Sequence, residues 1–215
     1  MLEIREFASY YKEERGWTDA FIQAVAKLSQ EGGGTLVVTP GVYETFSIEL
    51  KSNITLQVEA GAEIRFKQDW QGYQVIQSEY EGRSTGLFMP CIYARDAENV
   101  TLCGQGTLNG QGEYWWKRLG KLSAARPYLV CFERCRRVKV LDVKLVQSPV
   151  WTLHPLYCED VEIRGVTIRN PWDSPNTDGI NPDGCRNVRI ADCLVDVGDD
   201  CITLKSGTEE TPDRR

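Results

Sequence analysis

The chain has 215 residues and a mass of 24.4 kDa, with 41% apolar and 26% charged residues, which suits a single globular domain with a substantial core. Its net charge of −6 argues against a nucleic-acid partner, which needs a basic face, but leaves room for an acidic substrate in a locally basic groove. No stretch approaches the roughly 20 apolar residues that cross a bilayer, so no membrane partner is expected, and the opening MLEIREFASYYKEERGW lacks the apolar run of a secretory leader.

In chain order, the first convincing element is a helix in TDAFIQAVAKLSQEGGG. Thr18 or its neighbour is placed to cap it, Ala20, Phe21, Ala24, Val25 and Leu28 share one face, and Gly32 to Gly34 stop it. TLVVTPGVYETFSIEL then reads as strands interrupted at Pro40-Gly41. Residues 1–50 thus form an N-terminal segment with a capping helix and first strands, and 51–215 a continuous series of short strands. Those runs are NITLQV (53–58), NVTLCG (99–104), RVKVLDVKLV (137–146), DVEIRGVTIR (160–169) and NVRIADCLVD (187–196).

The last three runs share a register. Val138, Val161 and Val188 open them, Val143, Val166 and Cys193 follow five positions later, and Leu145, Ile168 and Val195 seven positions later. Cys135, Cys158 and Cys185 each stand three positions before the opening valine, at intervals of 23 and 27 residues. A repeat of that length, built from strands without intervening helices, predicts an all-β parallel solenoid whose equivalent residues stack in ladders. The eight cysteines show no Cys-x-x-Cys pair and no zinc spacing. They are expected to be reduced thiols, three of them forming an internal ladder of small hydrophobes. The helix would cap the first coil, whereas nothing comparable follows the last, so the sequence reads as the N-terminal part of a longer protein.

Two turns then carry three aspartates: Asp178 in NTDG, and Asp199 with Asp200 in GDD. The two turns lie 21 and 22 positions apart, about one coil, so stacking would bring the carboxylates together. Crowded carboxylates have their pKa values pushed apart. That is what acetal hydrolysis needs, with one acid protonated for the leaving oxygen and another ionised to activate water. Spacing alone leaves two other readings open, since Asp-Gly pairs form turns and three carboxylates make hard ligands for calcium.

The pattern NTDG, one coil, then GDDCITLKSG resembles glycoside hydrolase family 28, the polygalacturonases and related pectinases. GGGTLVVTPGVY, GQGTLNGQGEYWW (104–116) and SPVWTLHP (148–155) resemble the same family, so the likeness runs from about Trp17 to Gly207. The resemblance implies a right-handed parallel β-helix that hydrolyses α-1,4-linked galacturonan with inversion and needs no cofactor. It implies Asp199 as general acid, with Asp178 and Asp200 holding and activating the water, and Asn176 ordering the first aspartate or the substrate. The implied partner is a pectin-type acidic polysaccharide or oligogalacturonide. The family's later Gly-His-Gly turn and Arg-x-Lys motif fall beyond this sequence, whose sole histidine, His154, precedes the aspartates.

Further residues are read beside these. His154 is either structural or substrate-facing, Trp151 is placed to stack on a sugar, and Lys205 is read as pairing with a substrate carboxylate, keeping the nearby aspartates charged, or standing as a solvated surface lysine. Trp115 and Trp116 are read as packing residues. The glycines at 104, 106, 110 and 112 lack the G-x-G-x-x-G spacing and no helix is read after them, so a phosphate loop is rejected. The rival functions are a calcium-dependent β-helical lyase and a non-catalytic solenoid. Missing leader and free thiols point to the cytoplasm, or to secretion if a leader has been trimmed.

Overall fold

A computed structural model describes residues 1–206. Gly207, the last residue of the family likeness, and the stretch after it lie outside the described residues. The chain winds as a parallel solenoid with three sheets of seven, six and four strands, and each winding places a strand in successive sheets. Gly34–Val38, Gly41–Thr45 and Ile48–Glu49 make the first full winding. Among the described residues, no helix is long and apolar enough to cross a membrane.

The expected ladders are present. Val138 pairs with Val161 and Val161 with Val188, while Leu145, Ile168 and Val195 align in the second sheet. One interior row runs Leu36, Leu56, Leu102, Val140, Ile163 and Ile190 across the seven-stranded sheet. Alternation explains it: in Ile54–Val58 every second residue is buried, as a strand with one face on a core requires. Branched side chains, stiff and broad, suit that pleated surface.

The three long runs read as single strands each divide in two. Arg136–Leu141 and Lys144–Val146 belong to different sheets, as do Glu159–Arg164 and Thr167–Arg169, and Arg186–Ala191 and Leu194–Asp196. The chain turns at Asp142, Gly165 and Asp192, each with φ between 56° and 67°. One left-handed residue redirects the backbone by itself, and Gly and Asp tolerate that conformation best.

Thr18–Gln30 is the helix expected, and it buries the expected face. Its start differs. Trp17 occupies the cap position without a side-chain bond, while the Thr18 hydroxyl donates to Arg15 O at 2.6 Å and accepts from Phe46 N at 2.9 Å, tying the helix to the first coil. Its end is a Schellman arrangement, with Gly33 N bonded to Leu28 O and Gly32 N to Ser29 O. All eight cysteines are free thiols. Cys158 Sγ accepts from Cys135 N at 3.4 Å and Cys185 Sγ from Cys158 N at 3.3 Å, which is the expected internal ladder. Cys201, by contrast, is exposed.

Several elements escape sequence reading, among them the strands Ile92–Arg95, Val130–Glu133 and Leu153–Leu156 of the four-stranded sheet. Val75–Tyr80 and Arg83–Phe88 form an antiparallel hairpin apart from the coils. A short helix, Glu113–Trp116, does follow the glycine-rich stretch. The stretch is still no phosphate loop: a Cβ on Gly112 would lie 2.3 Å from Ser148 O, so a carbonyl acceptor, repulsive to an anion, occupies that approach. Trp115 is fully buried and Trp116 bonds Ser148 O at 3.1 Å, as packing residues should.

Candidate active site

The two aspartate turns lie on the continuation of the four-stranded sheet. Leu153 bridges to Ile180 and Ile180 to Ile202, all parallel, so successive windings stack in register. Thr152 N donates to Asp178 O at 2.8 Å and Gly179 N to Asp200 O at 2.9 Å. Asp178 therefore sits directly against Asp200 in the next coil. Glycine follows Asp178 because a Cβ there would lie 2.4 Å from Cys201 O. Beneath the turn, buried Asn170 accepts from Ser148 N and donates to the Thr152 hydroxyl and Thr177 O, fastening three loops together.

The three carboxylates converge: one oxygen from each lies within 4.8 Å of the others. Asp178 is only 4% exposed, whereas Asp199 and Asp200 are exposed. Asp199 Oδ1 accepts from Asp200 N at 2.9 Å, and Asp200 Oδ2 from the Thr203 hydroxyl at 3.1 Å. Asp178 Oδ2 accepts from Asn181 Nδ2 at 2.8 Å and faces Lys205 Nζ at 3.8 Å. Burial raises the Asp178 pKa above the ordinary carboxylate value, with the Asp199 charge pushing the same way, against the Asn181 hydrogen bond and the Lys205 charge. Like-charge crowding, the cause read from sequence, is thus secondary to burial.

The remaining expected residues divide. Asn176 stands in a left-handed turn, φ 57°, and its Oδ1 accepts from Arg126 at 2.7 Å. Lys205 lies 4.3 Å over the Trp151 ring as well as beside Asp178, which places it with the aspartates rather than in solvent. Trp151 is only 3% exposed, stacked at 5.0 Å on Tyr80 and 5.6 Å on Tyr128, so it offers no face to a sugar. Its stack instead seats Lys205. His154 is 1% exposed, and its Nδ1–H donates to Asn181 O at 2.9 Å. Burial pulls its pKa down to about 4, which leaves a neutral, inward ring. The substrate-facing reading of His154 is corrected to a structural one.

A model of the glycosyl hydrolases family 28 matches residues 37–211, across both aspartate turns. The chain belongs to that family. A Vitis vinifera protein named "Probable polygalacturonase" is 40% identical over 204 residues, covering 90% of this chain and 42% of its own length. The chain thus spans about two fifths of that curated relative. The hyperthermoactive exopolygalacturonase of Thermotoga maritima superposes with a TM-score of 0.86 at 32% identity, over 96% of this chain and 55% of that one. The family 28 exopolygalacturonase of Yersinia enterocolitica, at 17% identity, shares the fold with a TM-score of 0.88, over 100% of this chain and 46% of that one. The winding of this family 28 chain is that of the right-handed parallel β-helix.

Sequence reading missed three residues around the site. Arg126, 7% exposed, donates to Pro149 O and Pro175 O at 2.8 Å besides Asn176, and so pins the turn before Asp178. Tyr80, from the hairpin, lies within the electrostatic reach of Arg126, Asp178 and Asp199. Asn181, three residues after Asp178, was the one with a local signal, since that spacing within a turn lets an amide return to the carboxylate.

Proposed function

We propose that this family 28 chain supplies the acid–base machinery of a glycosidase that hydrolyses α-1,4-linked galacturonan with inversion. Asp199 carries the proton to the leaving glycosidic oxygen as the C1–O bond breaks. Water held by Asp178 and Asp200 adds to C1 and gives up its proton to that carboxylate pair. No further group is required to balance the step. The observation that carries this reading is the convergence of three carboxylates from two successive windings within 4.8 Å.

Those oxygens all lie within 4.8 Å of one another, closer than the roughly 6.5–9.5 Å usual between the two carboxyl groups of inverting glycosidases. Inversion here rests on the family resemblance rather than on the spacing. The substrate class rests on the polygalacturonase names of relatives and solved structures.

The same three oxygens also have the make-up of a calcium site, which gives the rival lyase reading its test. Polygalacturonate digested in the presence of a chelator should yield reducing ends with no near-ultraviolet absorption, and the first anomer seen by proton NMR should be β. Calcium-dependent release of an absorbing, unsaturated product would establish the lyase instead. A nascent α-anomer would establish retention.

A further inference from the structure

Asn181 lies at the floor of the carboxylate cluster and is fully buried. Its backbone is fixed on both sides, with the N–H donating to Leu153 O at 2.9 Å and the carbonyl accepting from His154 Nδ1 at 2.9 Å. The locked main chain directs the side-chain amide, which donates from Nδ2 to Asp178 Oδ2 at 2.8 Å. The amide orientation is dictated by chemistry, because an ionised carboxylate only accepts and the reversed amide would oppose two acceptors. In this orientation Asn181 Oδ1 is buried without a hydrogen-bond partner among the described residues.

An unpaired buried acceptor is destabilising, and a branched aliphatic side chain of the same heavy-atom shape would remove it. What the amide supplies in return is a hydrogen bond to the buried Asp178 carboxylate, so its presence is tied to the charge on that group. We propose that Asn181 is a positioning residue that acts through Asp178, aiming its carboxylate into the cluster and holding it as an acceptor for the attacking water. This rests on the reading of Asp178 as a water-holding group.

The other charged or titratable groups bearing on Asp178 are Asp199 and Asp200 from the next coil, Lys205 at 3.8 Å and the Tyr80 phenol from the hairpin. His154, behind the Asn181 carbonyl, stays neutral. Against burial and the Asp199 charge, the Asn181 hydrogen bond and the Lys205 charge favour the ionised form, and of these two neighbours the amide is the one in hydrogen-bond contact. Removing it should move the acid limb of activity to higher pH, since the active form needs Asp178 ionised and is lost as pH falls through its pKa.

The test uses Asn181→Asp, close in volume, and Asn181→Leu, of the same branching but larger, with Asp178→Asn alongside. Carbon-13 carboxyl NMR follows the Asp178 titration, and thermal unfolding and steady-state kinetics on oligogalacturonide are read in parallel. In Asn181→Leu, kcat should fall about 10-fold at nearly constant KM and the Asp178 midpoint should move up, with Tm lowered above that midpoint and closer to the parent value below it. In Asn181→Asp, which sets a second carboxyl against the first, the midpoint should rise by roughly one pH unit or more. If Leu does not fold, the Asp variant carries the titration.

An unmoved midpoint in the variants that fold would overturn the proposal, as would losses of kcat that merely track Tm. Full activity in Asp178→Asn would sink the reading of Asp178 itself. Loss there beside an unmoved Asp178 midpoint in the Asn181 variants would sink only the role given to Asn181.

Discussion

Replacing Asp199 by Asn should lower turnover on polygalacturonate by about 10³-fold, within the 10²–10⁴ contributed by a positioned general acid. The leaving oxygen of an acetal departs poorly without a proton, and an amide of the same shape has none to give. Asp199 is exposed and among the described residues its side chain bonds its own neighbour, Asp200 N, so folding should be untouched and KM should change by less than about threefold. Kinetics and a melting curve on the same preparation check both halves. Unchanged turnover would favour the solenoid in which these aspartates only close turns.

The largest stability effect is expected at Gly104. Its φ is +111°, and a Cβ there would stand 2.0 Å from Val58 O and 2.8 Å from Val58 C. Gly104 N also bonds Leu141 O at 3.2 Å, so the residue is held between the winding below and the winding above. Backbone cannot yield as a flexible side chain can. Gly104→Ala must pry neighbouring coils apart or change φ, at a cost of about 3 kcal/mol or more. Gly32→Ala is the control, since its φ of +88° is also left-handed but nothing lies within 4 Å of its Cβ; there the cost should be about 1 kcal/mol. Urea midpoints compare the two, and equal losses would show that conformation, not coil spacing, sets the requirement.

Much of this architecture is legible in the order of residues. Val138, Val161 and Val188 announce the winding because stacked coils repeat the same interior environment at each turn. The corners at Asp142, Gly165 and Asp192 are hidden for a related reason: a single left-handed residue bends the backbone without interrupting the apolar alternation on either side. The hairpin of Val75–Tyr80 and Arg83–Phe88 carries Gln, Ser, Glu and Arg, so no repeating pattern marks it as strand.

The site follows the same division. Asp178 and Asp200 meet because their separation matches one winding, which sequence shows. The burial of Trp151 and His154 is hidden from the sequence because it depends on Tyr80 and Tyr128, which arrive from elsewhere in the chain. Arg126 gave no signal either, since its partners are the backbone carbonyls of Pro149 and Pro175 and the amide oxygen of Asn176, contacts that exist only after folding.

That the clustered carboxylates perform one chemical step together is most directly tested by a double-mutant cycle on Asp178→Asn and Asp199→Asn. Residues that act as a unit lose most of their effect once, so the double variant should turn over substrate about as slowly as the worse single one. Losses that multiply, with the double variant slower by the product of the two single effects, would contradict the account and assign the two carboxylates to independent tasks.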